Sequence, residues 1–376
     1  MPGKAVVTAI RTLHINDQST WRGGERQVLY LLTGLKERGH HAELVAQPGS
    51  VLGERAKAEG IPAYPIRMRG EADVFAAAKI SRLIGREQVD IVHMHTAHAH
   101  TLGCLACVFN RRPICVVSRR VDFPINRKPF GLPALKYRWR VDHYIAISQA
   151  VKDILIAGGV NEDTVSIVHS GVGAPKVEGS REEFRRALGI APEEKLVGTV
   201  GALVDHKGHR FLIEAAPQVL SKAPQTKFIM VGDGELMPSL RSLASKLNVD
   251  NAIMFAGFQP GIHKYIGAFD VFVAPSHMEG LNTSILDAMM LGRPVIGTTA
   301  GGIPEIIEHG KTGLLVPPKD PAALAEAIVT LVTEPGKAEK LALAGQGRVQ
   351  QRFTADHMVE GTIAVYEKLL NERCKS

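Results

Sequence analysis

The chain has 376 residues and a formal net charge of +7, from 45 Lys and Arg against 38 Asp and Glu. At about 150 residues per domain, that length predicts two domains. Hydrophobic residues make up 45% and charged residues 22%, which excludes a wholly disordered chain and supports a packed core.

The first apolar run, Ala5–Ile10, is too short for a signal peptide or a membrane span, and no later window approaches a transmembrane helix. The expected location is therefore cytoplasmic. The same run reads as the first strand. Ala42–Ala46, Ile91–His93, Ile114–Ser118 and Tyr144–Ser148 follow it as strands of the first half. Between them, Glu25–Arg38 reads as a helix, with Val28, Leu31, Leu32 and Leu35 on one face and Gly39 as its stop. Cys104 and Cys107 lie on an apolar stretch, with Cys115 beyond. They read as small buried hydrophobes rather than a zinc or redox site.

The second half repeats the theme. Leu196–Val200, Phe228–Val231, Ile253–Ala256, Val271–Ala274 and Val295–Thr298 read as strands, with helices at Phe211–Leu220 and Ala323–Val332. Near-continuous apolar strands separated by helices imply parallel sheets covered on both faces. The fold class is therefore α/β, two Rossmann-like doubly wound domains facing a cleft, with ligands at the carboxyl ends of the strands. Glycines and prolines between Gly171 and Glu194 mark a linker holding one short helix. The expected domains are residues 1–175 and 176–352. A C-terminal helix at 353–376, with Val359, Ile363, Tyr366 and Leu370 on one face, is expected to pack back toward the first domain.

The segment from Pro275 to Asp287 follows a strand and opens a helix at Ser284. A helix start after a parallel strand offers free backbone N–H groups to a phosphate. Glu279 and Asp287 are placed to face one ligand, and carboxylates accept hydrogen bonds from the vicinal hydroxyls of a sugar or ribose. Ser284-x-x-Asp287 also reads as a capping box, which would make Asp287 structural. His93, His95, His98 and His100 form the densest histidine cluster. Strand alternation sends His93 and His95 the same way and leaves the other two in a following loop or helix. As a set they read as hydrogen-bonded polar residues rather than metal ligands. No G-x-G-x-x-G occurs, against a dinucleotide oxidoreductase, and no D-x-D ligand pair is evident.

Between Arg111 and Arg140 there are nine basic residues and one acidic, Asp122. That local excess equals the whole net charge within one unit, so the rest of the chain is close to neutral. Phe123, Ile125, Phe130, Leu132, Leu135 and Trp139 are interleaved with the charges. The stretch reads either as a solvated segment whose apolar face packs inward, or as a surface for anionic lipid or a charged acceptor. No stacking array supports nucleic acid.

Pro275–Asp287 closely resembles the E-x7-E signature of the retaining glycosyltransferases of the GT-B fold, family 4. Gly23-Gly24-Glu25-Arg26, Asp90–His95, Val200–Gly208, Val231–Gly234, Ala300–Glu305 and Gly310–Pro317 follow the family pattern in order, over essentially the whole chain. The resemblance implies transfer of a sugar from a nucleoside diphosphate-sugar to a glycan or lipid-linked acceptor. The setting would be bacterial envelope polysaccharide or lipopolysaccharide biosynthesis. It implies no cofactor and no metal, the nucleotide sugar being a co-substrate. His95, Lys207 and Glu279 would be catalytic, His95 lying near the transferred sugar. The donor would be held by Gly23, Gly24, Lys207, Gly208, Glu279, Gly280, Leu281, Asn282, Thr283, Ser284 and Asp287. Arg119, Arg120, Arg127 and Lys128 would lie on the acceptor or membrane side, with peripheral contact at the inner membrane surface.

Two departures stand out. Asp287 occupies the place of the second family Glu, and Ala202 that of an Arg which pairs with the Lys of K-G. His206 and Arg210 are the candidates to replace that charge. A sugar-nucleotide epimerase of the same fold, and a non-catalytic nucleotide-sugar-binding protein, are the alternative readings. A two-carboxylate glycosidase is a third.

Overall fold

Two parallel sheets, each built by one half of the chain, organise the computed structural model, which describes residues 9–108, 110, 113–125, 137, 139–175, 177 and 179–375. One unit comprises Met1–Gly171 with Ala355–Ser376, and the other Val172–Thr354. The expected divisions were at 175 and 352.

In the first unit the strands are β1 (Arg11–Asn16), β2 (His41–Ala46), β3 (Ala63–Pro65), β4 (Ile91–Met94), β5 (Ile114–Arg119), β6 (His143–Ala146) and β7 (Val165–Ile167). Among the described residues their order is β3-β2-β1-β4-β5-β6-β7, every pair parallel. The second unit has β8 (Lys195–Val200), β9 (Thr226–Val231), β10 (Ile253–Gly257), β11 (Val271–Ala274), β12 (Val295–Thr298) and β13 (Leu314–Val316), in the order β10-β9-β8-β11-β12-β13. Both are doubly wound sheets whose order reverses beside the first strand.

The first strand departs from expectation. The sequence reading places it at Ala5–Ile10, but β1 starts at Arg11, and residues 5–8 lie outside the described residues. Thr12, His14 and Asn16 interrupt the apolar run, yet all three are buried along with Leu13 and Ile15. Polar side chains bury in a strand when they find hydrogen-bond partners: His14 bonds Thr12 and His95, and Asn16 Nδ2 donates to Glu25.

The core of the first unit joins Leu44, Ile91 and Val116 of the sheet to Val28, Leu31, Leu32 and Leu35 of the helix Gly23–Glu37. Burying each of those leucines contributes about 2 kcal/mol relative to exposure. The helix Ala355–Arg373 belongs to the same core through Met358, Val359 and Tyr366. It lies so close to Gly23–Glu37 that a Cβ at Gly34 would stand 2.5 Å from Val359 Cγ2. Val197, Phe228, Met230, Val271 and Ile296 anchor the core of the second unit against Leu212, Ile213 and Ile328. Cys104, Cys107 and Cys115 are buried free thiols. Among the described residues, no helix is long and apolar enough to cross a membrane.

Candidate active site

In the second unit, the loops after β8 and β11 leave the sheet on either side of the order reversal, where open α/β sheets place their ligands. Lys207 comes from the first loop and Glu279 from the second. Their side chains meet, Lys207 Nζ lying 2.6 Å from Glu279 Oε2. The same oxygen accepts from Ser276 Oγ at 3.2 Å and Asn282 Nδ2 at 3.0 Å. Oε1 has no partner among the described residues. Glu279 is only 8% exposed, so its charge is held by three donors rather than by water.

Backbone contacts fix the loops themselves. The His277 N–H donates to the His206 carbonyl at 2.9 Å, and Gly302 N–H to the Glu279 carbonyl at 3.0 Å. Gly208 and Gly301 have positive φ, 67° and 52°. A Cβ at Gly208 would stand 2.1 Å from the Pro275 carbonyl oxygen, and one at Gly301 1.9 Å from that of Glu279. Only glycine permits loops this close.

The helix Thr283–Met290 is capped by Asn282, whose side-chain oxygen accepts from Ser284 N–H at 3.0 Å and Ile285 N–H at 3.3 Å. The capping box read at Ser284-x-x-Asp287 is not formed, because the helix begins before Ser284. Asp287 sits one turn in, 1% exposed, with Oδ1 3.2 Å from His263 Nε2. Asn282 thus caps the helix with its oxygen and holds Glu279 with its nitrogen. Asn282→Asp is expected to keep the cap but lose about 3 kcal/mol, since it sets a buried carboxylate where Glu279 had a donor, whereas Asn282→Ala loses about 2 kcal/mol from the cap and that donor together. Both should lower turnover, since Asp places a second carboxylate against Glu279. Thermal melts beside initial rates separate the two effects.

At Ala202, the carbonyl accepts from His209 Nε2 at 3.1 Å, and burial pushes that imidazole down to about 4, so it is neutral. Arg210 turns along its helix to Glu214 at 2.9 Å and does not supply the absent charge.

The first unit has its own cluster at the ends of β1, β4 and β5. His14 Nδ1 lies 2.9 Å from His95 Nε2, and His14 Nε2 lies 3.0 Å from Thr12 Oγ1. His93 bonds the Tyr366 hydroxyl at 2.5 Å and the Ser118 hydroxyl at 2.8 Å. Its ring centroid is 4.1 Å from that of His95. Burial pulls His14 down to about 3 and holds His93 and His95 well below the ordinary imidazole range. Arg120 adds to this repulsion, and burial pulls its own guanidinium down to about 10. Ligand nitrogens of the three histidines lie within 4.8 Å, a spacing a metal ion could use. Both ring nitrogens of His14 and of His93, however, already face protein partners.

Gly23 and Gly24 open the helix Gly23–Glu37, and a Cβ at Gly24 would sit 3.9 Å from Arg120 Cδ. The Glu25 carboxylate accepts the Arg22 backbone N–H at 3.1 Å. His98 and His100 fall in the helix Ala97–Ala106, as alternation implied. His98 pairs with Asp17 at 2.9 Å, and His100 meets the rings of Tyr137 and Tyr144 edge-on.

Two family models match the chain, Glycosyltransferase Family 4 over residues 21–174 and Glycosyl transferases group 1 over residues 194–334. The chain belongs to the family 4, group 1 glycosyltransferases. An uncharacterized glycosyltransferase of Methanocaldococcus jannaschii is 26% identical over 365 residues, 90% of this chain and 92% of that protein. The lipopolysaccharide core biosynthesis glycosyltransferase LpsE of Rhizobium meliloti is 25% identical, covering 90% of this chain and 94% of its own length. Among solved structures, Anabaena HepE in complex with UDP-glucose superposes with a TM-score of 0.83 at 23% identity, over 96% of this chain and 100% of that one. The fold is GT-B.

Within this glycosyltransferase, the structure brings Lys207, Gly208, Glu279 and Asn282 together, with Gly280, Leu281, Thr283 and Ser284 in the same loop and helix start. Asp287 instead meets His263. Arg119 is 8% exposed and donates to the Tyr137 hydroxyl and the Phe123 carbonyl, so it presents no charge to a membrane. Arg120 is half-buried, and its charge acts on the rings of His93 and His95. Arg127 and Lys128 lie outside the described residues. The sequence reading missed Thr12, His14, Ser118, Tyr366, Ser276 and His263. For the first two the signal was present, since Thr12, His14 and Asn16 alternate with Leu13 and Ile15 in the pattern of a strand.

Proposed function

We propose that this glycosyltransferase moves a sugar from a nucleoside diphosphate-sugar to a hydroxyl of a glycan or lipid-linked acceptor of the bacterial envelope, with retention and without a metal. The observation that carries the reading is the Lys207–Glu279 pair, set by two loops at the order reversal of the second sheet. A departing diphosphate gathers negative charge, which the Lys207 ammonium stabilises, while Glu279 Oε1 is left to accept from a donor hydroxyl. Gly23 and Gly24 contribute backbone N–H groups at a helix start.

Retention follows from attack on the face the diphosphate leaves. The anomeric carbon–oxygen bond breaks, the acceptor oxygen bonds that carbon, and the acceptor proton passes to the departing phosphate. His95 contacts a hydroxyl of the transferred sugar, and Asp287 stands in for the longer family carboxylate. Support for the donor class comes from HepE, whose structure holds UDP-glucose, and for the acceptor class from LpsE, which is named for lipopolysaccharide core biosynthesis. The protein acts in the cytoplasm, with peripheral contact at the membrane face where such acceptors are built.

Thermal melts against UDP-, GDP- and ADP-sugars test the reading. One nucleotide class should raise the melting temperature, and Lys207→Ala should weaken its binding about 10- to 100-fold. Proton NMR of the product should show the donor's anomeric configuration in an acceptor-dependent product. Stabilisation by no nucleotide sugar would overturn the proposal, and product formed without acceptor would point to an epimerase.

A further inference from the structure

We propose that Thr12 and His14 order the protons of His95, fixing its ring as the Nε2–H tautomer and leaving Nδ1 an obligate hydrogen-bond acceptor toward the substrate. The relay begins at the His41 carbonyl, which can only accept. The Thr12 hydroxyl contacts the His41 carbonyl at 3.1 Å, so its single proton points there. Its oxygen then accepts from His14 Nε2, 3.0 Å away, which must carry the proton of that ring.

His14 is wholly buried and has no carboxylate partner among the described residues, so its ring is neutral and holds one proton. His14 Nδ1 is therefore a bare lone pair. His95 Nε2, at 2.9 Å, has to donate to it. Among the described residues, the charged and titratable groups acting on His95 are His14, His93 and Arg120, and none of them favours protonation. A neutral His95 with its proton on Nε2 has a lone pair on Nδ1. That atom is enclosed and has no partner among the described residues, so a substrate hydroxyl reaches it once the packing over it opens. Reversing the first step, with Thr12 donating to His14, would leave the Thr12–His41 contact without a proton. The relay is the assignment that makes every contact in the series.

The consequence is a choice of ligand chemistry. An obligate acceptor takes a hydroxyl and repels a carboxylate, a phosphate oxygen or an ether oxygen. The tautomer stands by itself, whereas the substrate half rests on the reading of His95 as a sugar contact. The sugar position facing Nδ1 must then carry a free hydroxyl. A single fluorine-for-hydroxyl replacement there should lower kcat/KM about 100-fold, as expected when a site built for a hydroxyl meets an analogue without its proton. Thr12 and His14 are positioning residues, since they act through His95.

The test is a long-range proton–nitrogen correlation spectrum of the full chain with 15N-histidine at neutral pH. Both His14 and His95 should report as Nε2–H. Thr12→Val should mix the His95 tautomers, lower kcat/KM for the sugar nucleotide about tenfold and flatten discrimination across monodeoxyfluoro donors. It should leave nucleoside diphosphate affinity unchanged. Thr12→Ser should restore all three. A wild-type His95 carrying its proton on Nδ1 overturns the proposal, as does a Thr12→Val spectrum identical to wild type. An Nε2–H ring with uniform turnover of every fluorinated donor overturns the substrate half. Failure of any nucleotide to bind would instead sink the transferase reading, while the spectrum would still decide the relay.

Discussion

Glu279→Gln is expected to lower kcat/KM for the sugar nucleotide about a thousand-fold, the scale of removing a preorganised electrostatic contact from a water-poor site. The amide keeps the shape but not the charge. If its oxygen faces Lys207, Ser276 and Asn282, its NH2 stands in place of the unpartnered Oε1, and a donor replaces the acceptor proposed to meet the sugar. If it turns the other way, NH2 faces an ammonium. Either way Lys207, whose side chain is 23% exposed, loses its counter-charge. Folding stability should fall by about 2 kcal/mol, the range for a hydrogen bond to a charged group. Initial rates and calorimetry report the two losses. Turnover within threefold of wild type would remove Glu279 from the chemistry.

Gly301→Ala should cost about 3 kcal/mol, combining a left-handed alanine with displacement of a backbone oxygen. The added methyl would stand 1.9 Å from the Glu279 carbonyl, so one of the two loops has to move. The 3.0 Å bond from Gly302 N–H to that carbonyl lengthens with it. A fall of roughly 6–12 °C in the melting temperature is expected for a unit of this size, with weaker nucleoside diphosphate binding at temperatures where the protein stays folded. Gly310→Ala is the control. Its φ is also positive, at 73°, but a Cβ there meets nothing within 4 Å, so it should cost only the backbone strain.

Much of this architecture was legible because both sheets are parallel and covered, so their central strands are continuous apolar runs. The strands that escaped, β3, β7 and β13, are sheet edges of three residues each, too short to show a period. β1 was misplaced because one of its two buried faces is polar. An apolar run just upstream carried the stronger signal, whereas what stabilises β1 is hydrogen bonding between Thr12, His14 and His95.

The candidate site divides the same way. Glu279 was singled out from its place in the loop after an apolar strand, whereas Lys207 was named through the family resemblance of Val200–Gly208. Asn282 was legible as part of a helix start, but its double role depends on where the helix begins, a matter of two residues. Tyr366 reaches His93 across 273 residues, and no local pattern encodes that contact. Arg119 shows the converse. A run of basic residues suggested a charged surface, while in the fold this guanidinium is spent on Tyr137 and Phe123.

The return of the helix Ala355–Arg373 to the first unit bears on the order of events during synthesis. Residues 172–354 form a contiguous piece that can fold as soon as it leaves the ribosome. The first unit emerges earlier but is incomplete, since Met358, Val359 and Tyr366 of its core and the hydroxyl that bonds His93 are translated last. Its histidine cluster therefore waits, without Tyr366, through the translation of some 190 residues. The half made first is the half finished last, and a chain cut short before residue 355 would retain the Lys207–Glu279 pair while leaving Leu31 and Leu35 without their covering helix.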